Sequence, residues 1–60
     1  MQVGDKAVTN DEYPDGAGFK VVISKVDREW AFLYTGIVLE GEYSNQEWLF
    51  HGEELDAYEA

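Results

Sequence analysis

Apolar and polar positions alternate in short bursts along this chain, and clusters of turn-forming residues separate the bursts, a pattern that predicts strands and almost no helix. Lys6-Ala7-Val8-Thr9 is the first burst and Phe19-Lys20-Val21-Val22-Ile23-Ser24-Lys25-Val26 the longest. In the second, Phe19, Val21 and Ile23 share one face while Lys20, Ser24 and Val22 share the other, and β-branched residues favour strand over helix. Between them, Asn10 to Gly18 reads as a single loop. Pro14 suits the second position of a β-turn, Asp15 and Gly16 follow it, and Gly18 frees the backbone to enter the next strand.

Asp27-Arg28-Glu29 breaks the pattern. Trp30-Ala31-Phe32-Leu33-Tyr34 then predicts a central strand with Trp30, Phe32 and Tyr34 aligned, and Gly36 a bend. Ile37 to Tyr43 predicts another strand, with Ile37, Leu39 and Tyr43 on one side and Val38, Glu40 and Glu42 on the other. Ser44-Asn45-Gln46 is a turn, Glu47 to His51 a further strand, and Gly52-Glu53-Glu54-Leu55 a single helical turn leading to a terminal segment that ends near Tyr58. The expected fold is all-β: one domain over residues 1–60, a small five-stranded antiparallel barrel with a one-turn helix near the C-terminus.

Sixty residues without cysteine must find nearly all their stabilisation in the hydrophobic core. Three Phe, two Trp and four Tyr supply it, each able to bury about 150–250 Å². No apolar run approaches the roughly 20 residues needed to span a bilayer. The N-terminus lacks the basic and apolar regions of a secretory signal, so a cytoplasmic setting and no membrane partner are expected. Charge sharpens the picture. All four basic residues, Lys6, Lys20, Lys25 and Arg28, fall in the first 28 positions, whereas Glu29 to Ala60 carries eight carboxylates and no Lys or Arg. A net charge of −9 disfavours direct binding to DNA or RNA and favours basic partners.

The stretches Val3-Gly4-Asp5-Lys6-Ala7-Val8 and Gly16-Ala17-Gly18-Phe19-Lys20-Val21-Val22-Ile23 resemble the opening strand, glycine-bearing loop and apolar second strand of SH3-like barrels of the KOW or Tudor type. Glu47 to Leu55 is similar to their closing pattern, an aromatic strand running into a one-turn helix with a buried Leu. Together these cover 23 of the 60 residues. The resemblance implies a non-catalytic module for nucleic-acid, peptide or protein recognition. The acidic loops depart from the basic loops of the nucleic-acid binders.

Candidate chemistry is sparse. His51 is the single histidine, and Thr9, Ser24, Thr35 and Ser44 have no base at a telling spacing, so no enzyme and no cofactor are expected. Asp11 to Gly16 has carboxylates at the first and fifth positions of a calcium loop, but Tyr13 stands at the third and Val22 where the bidentate Glu belongs, so a solvated turn is the better reading. Tyr13, Trp30, Tyr34 and Trp48 could furnish an aromatic cage for a cation or peptide, as in Tudor-like barrels; in so small a chain, packing is expected to claim at least three of them.

The acidic face is the sharper candidate. On a strand, Glu40 and Glu42 would repeat at about 6.6 Å, a spacing close to that of successive phosphates. Glu47, Glu53, Glu54 and Asp56 could extend the row, which otherwise serves solubility alone. The expected function is a protein-binding module whose acidic face docks on a basic protein surface, a role suited to a phage-type accessory protein that modifies a host enzyme. Partner-binding residues are Glu40, Glu42, Glu47, Glu53 and Glu54, with Tyr43 and Trp48 as hydrophobic anchors. The alternatives are a nucleic-acid mimic that inhibits a DNA- or RNA-binding protein, and a small-cation or peptide binder using the cage. An exposed strand edge is one route by which a domain of this size gains stability through dimerisation.

Overall fold

A computed structural model describes residues 1–29 and 33–58. Strands β1 (Lys6–Thr9), β2 (Lys20–Asp27), β3 (Leu33–Val38) and β4 (Glu47–His51) are followed by a one-turn 3-10 helix (Gly52–Glu54) and strand β5 (Leu55–Ala57). They form one antiparallel sheet in the order β4-β3-β2-β1-β5. This is the all-β, five-stranded fold with a C-terminal helical turn that the residue pattern predicts. No helix among the described residues is long and apolar enough to cross a membrane.

Alternation explains which side chains go inside. Ala7, Val21, Ile23, Tyr34, Val38, Phe50 and Leu55, drawn from all five strands, form a single buried cluster. The two outermost strands contribute Phe50 and Leu55 to that same cluster, so the sheet curls around its core instead of lying flat. A register shift between Ile23 and Lys25 supplies the local bend in β2.

Gly36 is where pattern and structure part. It does not bend the chain; it sits within β3, pairing with Ile23 on one side and Trp48 on the other. A β-carbon at this position would lie 3.0 Å from a ring carbon of Phe50 and 3.0 Å from a methyl of Val21. The glycine is there for close approach. The two strands expected at Trp30–Tyr34 and Ile37–Tyr43 are therefore one strand through Gly36, and Trp30, Ala31 and Phe32 lie outside the described residues.

Strand β3 ends at Val38 because its backbone is taken by the hairpin: Val38 N–H donates to Gln46 at 2.9 Å and Asn45 N–H donates to the Val38 carbonyl at 2.8 Å. Asn45 (φ 71°) and Gly41 (φ 89°) adopt the left-handed conformation that reverses the chain, one that asparagine and glycine tolerate. Glu40 and Glu42 consequently occupy this hairpin and not a strand, so the expected carboxylate ladder at strand pitch does not form.

The one-turn helix is held by Glu54, which is 8% exposed and accepts the His51 N–H at 2.7 Å. This satisfies a donor that would otherwise be orphaned at the helix start.

Overpacking at Gly36 should be felt strongly in so small a core. Gly36→Ala is expected to lower stability by about 1–3 kcal/mol, read as a lower urea midpoint with an unchanged slope; an unchanged midpoint would show that Phe50 and Val21 have room to yield.

Candidate functional site

The loop between β1 and β2 is shaped by its own hydrogen bonds. Asn10 accepts the Glu12 N–H on its side chain at 2.9 Å, and Gly16 N–H closes a turn onto the Tyr13 carbonyl at 3.0 Å, with Pro14 in the second position as expected. Thr9, which is buried, donates its hydroxyl to the Gly16 carbonyl at 3.0 Å and accepts the Phe19 N–H at 2.9 Å. At the loop's base, Asn10 donates its side-chain amide to the Glu53 carbonyl (2.9 Å) and the Asp56 carboxylate (3.3 Å), and its N–H to the Glu54 carbonyl (3.0 Å). The loop is thus tied to the helical turn and β5.

These ties fold Tyr13 back over the core. Its ring lies 5.1 Å from that of Phe50 and stacks on Trp48 at 6.4 Å, with 23° between the planes. Phe19, just ahead of β2, meets Trp48 edge-on at 5.2 Å, and Tyr43 from the β3–β4 hairpin reaches Trp48 at 5.5 Å. Trp48 is held in place by its indole N–H, which donates to Gln46 at 3.2 Å. Asp15, Phe19, Tyr43 and Trp48 line an open cleft of about 450 Å³.

Negative charge surrounds this aromatic surface. The Tyr13 phenol is pushed above its ordinary pKa, first by burial and then by the charges of Asp15 and Glu54 and a hydrogen bond to Asp15. The Tyr43 phenol is raised mainly by its hydrogen bond to Glu42. Both tyrosines therefore stay neutral and keep carboxylates at the edge of the cleft.

The structure divides the predicted contact residues. Tyr43 and Trp48 come together in the cleft, and Glu42 borders it through Tyr43. Glu40 reaches away to Lys20, whose ammonium lies 3.4 Å from it and 5.0 Å from the centre of the Tyr58 ring. Hydrogen bonding to Tyr58 and then to Glu40 holds the Lys20 pKa above its usual value. Glu47 is exposed and, by strand alternation, projects from the face of β4 opposite Trp48. Glu53 is exposed on the helical turn, whereas Glu54 is buried and committed to the His51 backbone. Glu54 is a structural cap, not part of a free acidic row.

Of the four cage candidates, Tyr13 and Trp48 are at the site. Tyr34 is buried in the core, as the packing alternative has it, and Trp30 lies outside the described residues. Asp15 and Phe19 escape sequence reasoning, since one reads as a turn residue and the other as a core-facing strand residue. Their signal is the pairing of a turn carboxylate with an aromatic just past the final glycine of the same loop. Among the described residues, no group of three or more His, Asp or Glu side chains is placed to hold a metal ion. No family model, curated protein or solved structure matches the chain.

The raised phenol pKa values give a signed pH effect. The neutral phenols stabilise the fold fully below the unfolded tyrosine value near 10, and that contribution is lost as pH rises through the higher folded values. Absorbance titration at 295 nm should therefore show Tyr13 and Tyr43 ionising late; Asp15→Asn should bring Tyr13 and, less strongly, Tyr43 down, Glu42→Gln should bring Tyr43 down, and no change would dissociate the carboxylates from the phenols.

Thr9→Val tests the loop itself. It would leave the Phe19 N–H and Gly16 carbonyl without their side-chain partner, and a loss of about 1–3 kcal/mol is expected on chemical denaturation.

Proposed function

We propose that this chain is a non-enzymatic protein-binding module whose acid-rimmed aromatic cleft takes a cationic segment of a basic partner. One observation carries the reading: Phe19, Tyr43 and Trp48 converge with Asp15 around an open cleft, and Tyr13 stacks behind Trp48. Rings left facing water in a domain that needs its aromatics for packing suggest a use besides stability. An aromatic face with a carboxylate beside it attracts Lys or Arg through both the ring quadrupole and the full charge.

The wider charge distribution supports the same partner. Asp11, Glu12 and Asp15 occupy one loop, and its ties through Asn10 bring it against Glu53 and Asp56. The field around this end of the molecule steers basic surfaces toward the cleft. The resemblance to KOW and Tudor barrels, which recognise other macromolecules, fits a binding role. The acidic surface has the aromatic cleft as its anchor and Asp15 and Glu42 as its charges, in place of a strand-borne row.

Titration with a short Lys- and Arg-rich peptide, followed by tryptophan fluorescence, tests the proposal. Saturable binding that weakens with added salt is expected, and Asp15→Asn or Tyr43→Ala should each weaken it roughly 2- to 30-fold, the range of a cation–aromatic contact. Absence of any response at millimolar peptide, or an affinity equal to the parent chain's in both variants, would refute it.

A further inference from the structure

We propose that β4 is also a self-association edge, along which two copies of this chain pair antiparallel about Leu49. The strand is the outermost on its side of the sheet, with no neighbouring strand beyond it among the described residues. Its backbone polarity follows from the hairpin: Val38 bonds toward β4, so by alternation Gly36 and Tyr34 do as well, and these are the partners of Trp48 and Phe50. The N–H and C=O groups of Glu47 and Leu49 therefore point outward. The His51 N–H is already held by Glu54, so the carboxylate marks the end of the free edge.

The side chains on that edge are complementary to themselves. Leu49 is 63% exposed, a large apolar residue at the centre of the strand. Antiparallel pairing about it sets Leu49 against Leu49 of the second copy and sets Glu47 against His51 twice over, on one face of the joined sheet. Within one chain Glu47 and His51 stand about 13 Å apart along the strand and do not meet; across the two-fold axis they become directly opposed, with Cα atoms about 5.5 Å apart. An imidazole N–H can donate to the carboxylate there. Leu49 would exchange both backbone hydrogen bonds with its copy, and the ladder stops short of His51, whose N–H is held by Glu54 and whose carbonyl, at the N-cap, accepts the first bond of the helical turn. The edge at β5 lacks this match: it is three residues long, and symmetric pairing about its middle would oppose Asp56 to itself.

Self-pairing is separable from the cleft reading by its salt response. Two copies at −9 repel, so screening should strengthen association, whereas it weakens capture of a basic peptide.

Sedimentation equilibrium of the full chain, up to millimolar concentration and at low and high salt, tests the inference together with hydrogen exchange. The expected result is a concentration-dependent approach to twice the monomer mass, favoured by salt, with exchange at the Leu49 amide slowing as concentration rises. Leu49→Lys and His51→Glu should each weaken association roughly tenfold by placing like charges opposite one another. The double variant Glu47→His/His51→Glu recreates the opposed pair and should recover the parent affinity to within about threefold. A chain that stays monomeric at millimolar concentration, association indifferent to both single variants, or a double variant as weak as His51→Glu would overturn the proposal.

Discussion

The ring of Phe50 lying over the bare backbone of Gly36 is the contact on which both halves of this molecule rest. Phe50 is fully buried, and only a residue without a side chain at position 36 lets it settle against Val21 in the middle of the sheet. The same ring is the floor of the aromatic cluster, 5.1 Å from Tyr13 and 6.4 Å from Trp48. Core and cleft are thus continuous. Tyr13 and Trp48 are partly covered because they pack on the core, and partly open because no described residue covers their outer side. In a chain of 60 residues this sharing is economical, since the rings that help stabilise the fold also shape its exposed surface.

Charge is arranged around that continuity in two different ways. Some carboxylates are spent internally: Glu54 closes the helical turn and Glu40 meets Lys20. Others, such as Asp15 and Glu42, stay at the cleft and hold nearby phenols in their neutral form. A net charge of −9 is therefore not one uniform property; its members differ in what they touch and in how far water screens them.

Much of the fold was legible in the residue pattern because local physics dictated it. Proline at position 14 pre-sets the turn that Gly16 closes, alternation through Val21 and Ile23 assigns the inner face of β2, and the step from Phe50 through Gly52 to Leu55 produces the helical turn and its buried leucine. Gly36 was ambiguous for a physical reason. Glycine serves a bend and a close approach equally well, and only the position of Phe50 on a separate strand decides between them. That one ambiguity split β3 in two and carried Glu40 and Glu42 onto a strand they do not occupy. The cleft was half legible: Tyr13, Tyr43 and Trp48 were recognisable as aromatic candidates, but Asp15 and Phe19 join them through long-range ties made by Thr9 and Asn10 that no local spacing reveals.

The walls of the cleft come largely from two connections, residues 10–19 and 39–46, while the buried cluster comes entirely from the strands. Each connection is closed at its root by backbone bonds, at Thr9 for one and Val38 for the other. Specificity and foldability are thereby written in separate stretches of the chain. Lineages of such a molecule could diversify what they recognise by rewriting loop tips, with the interior left as it is.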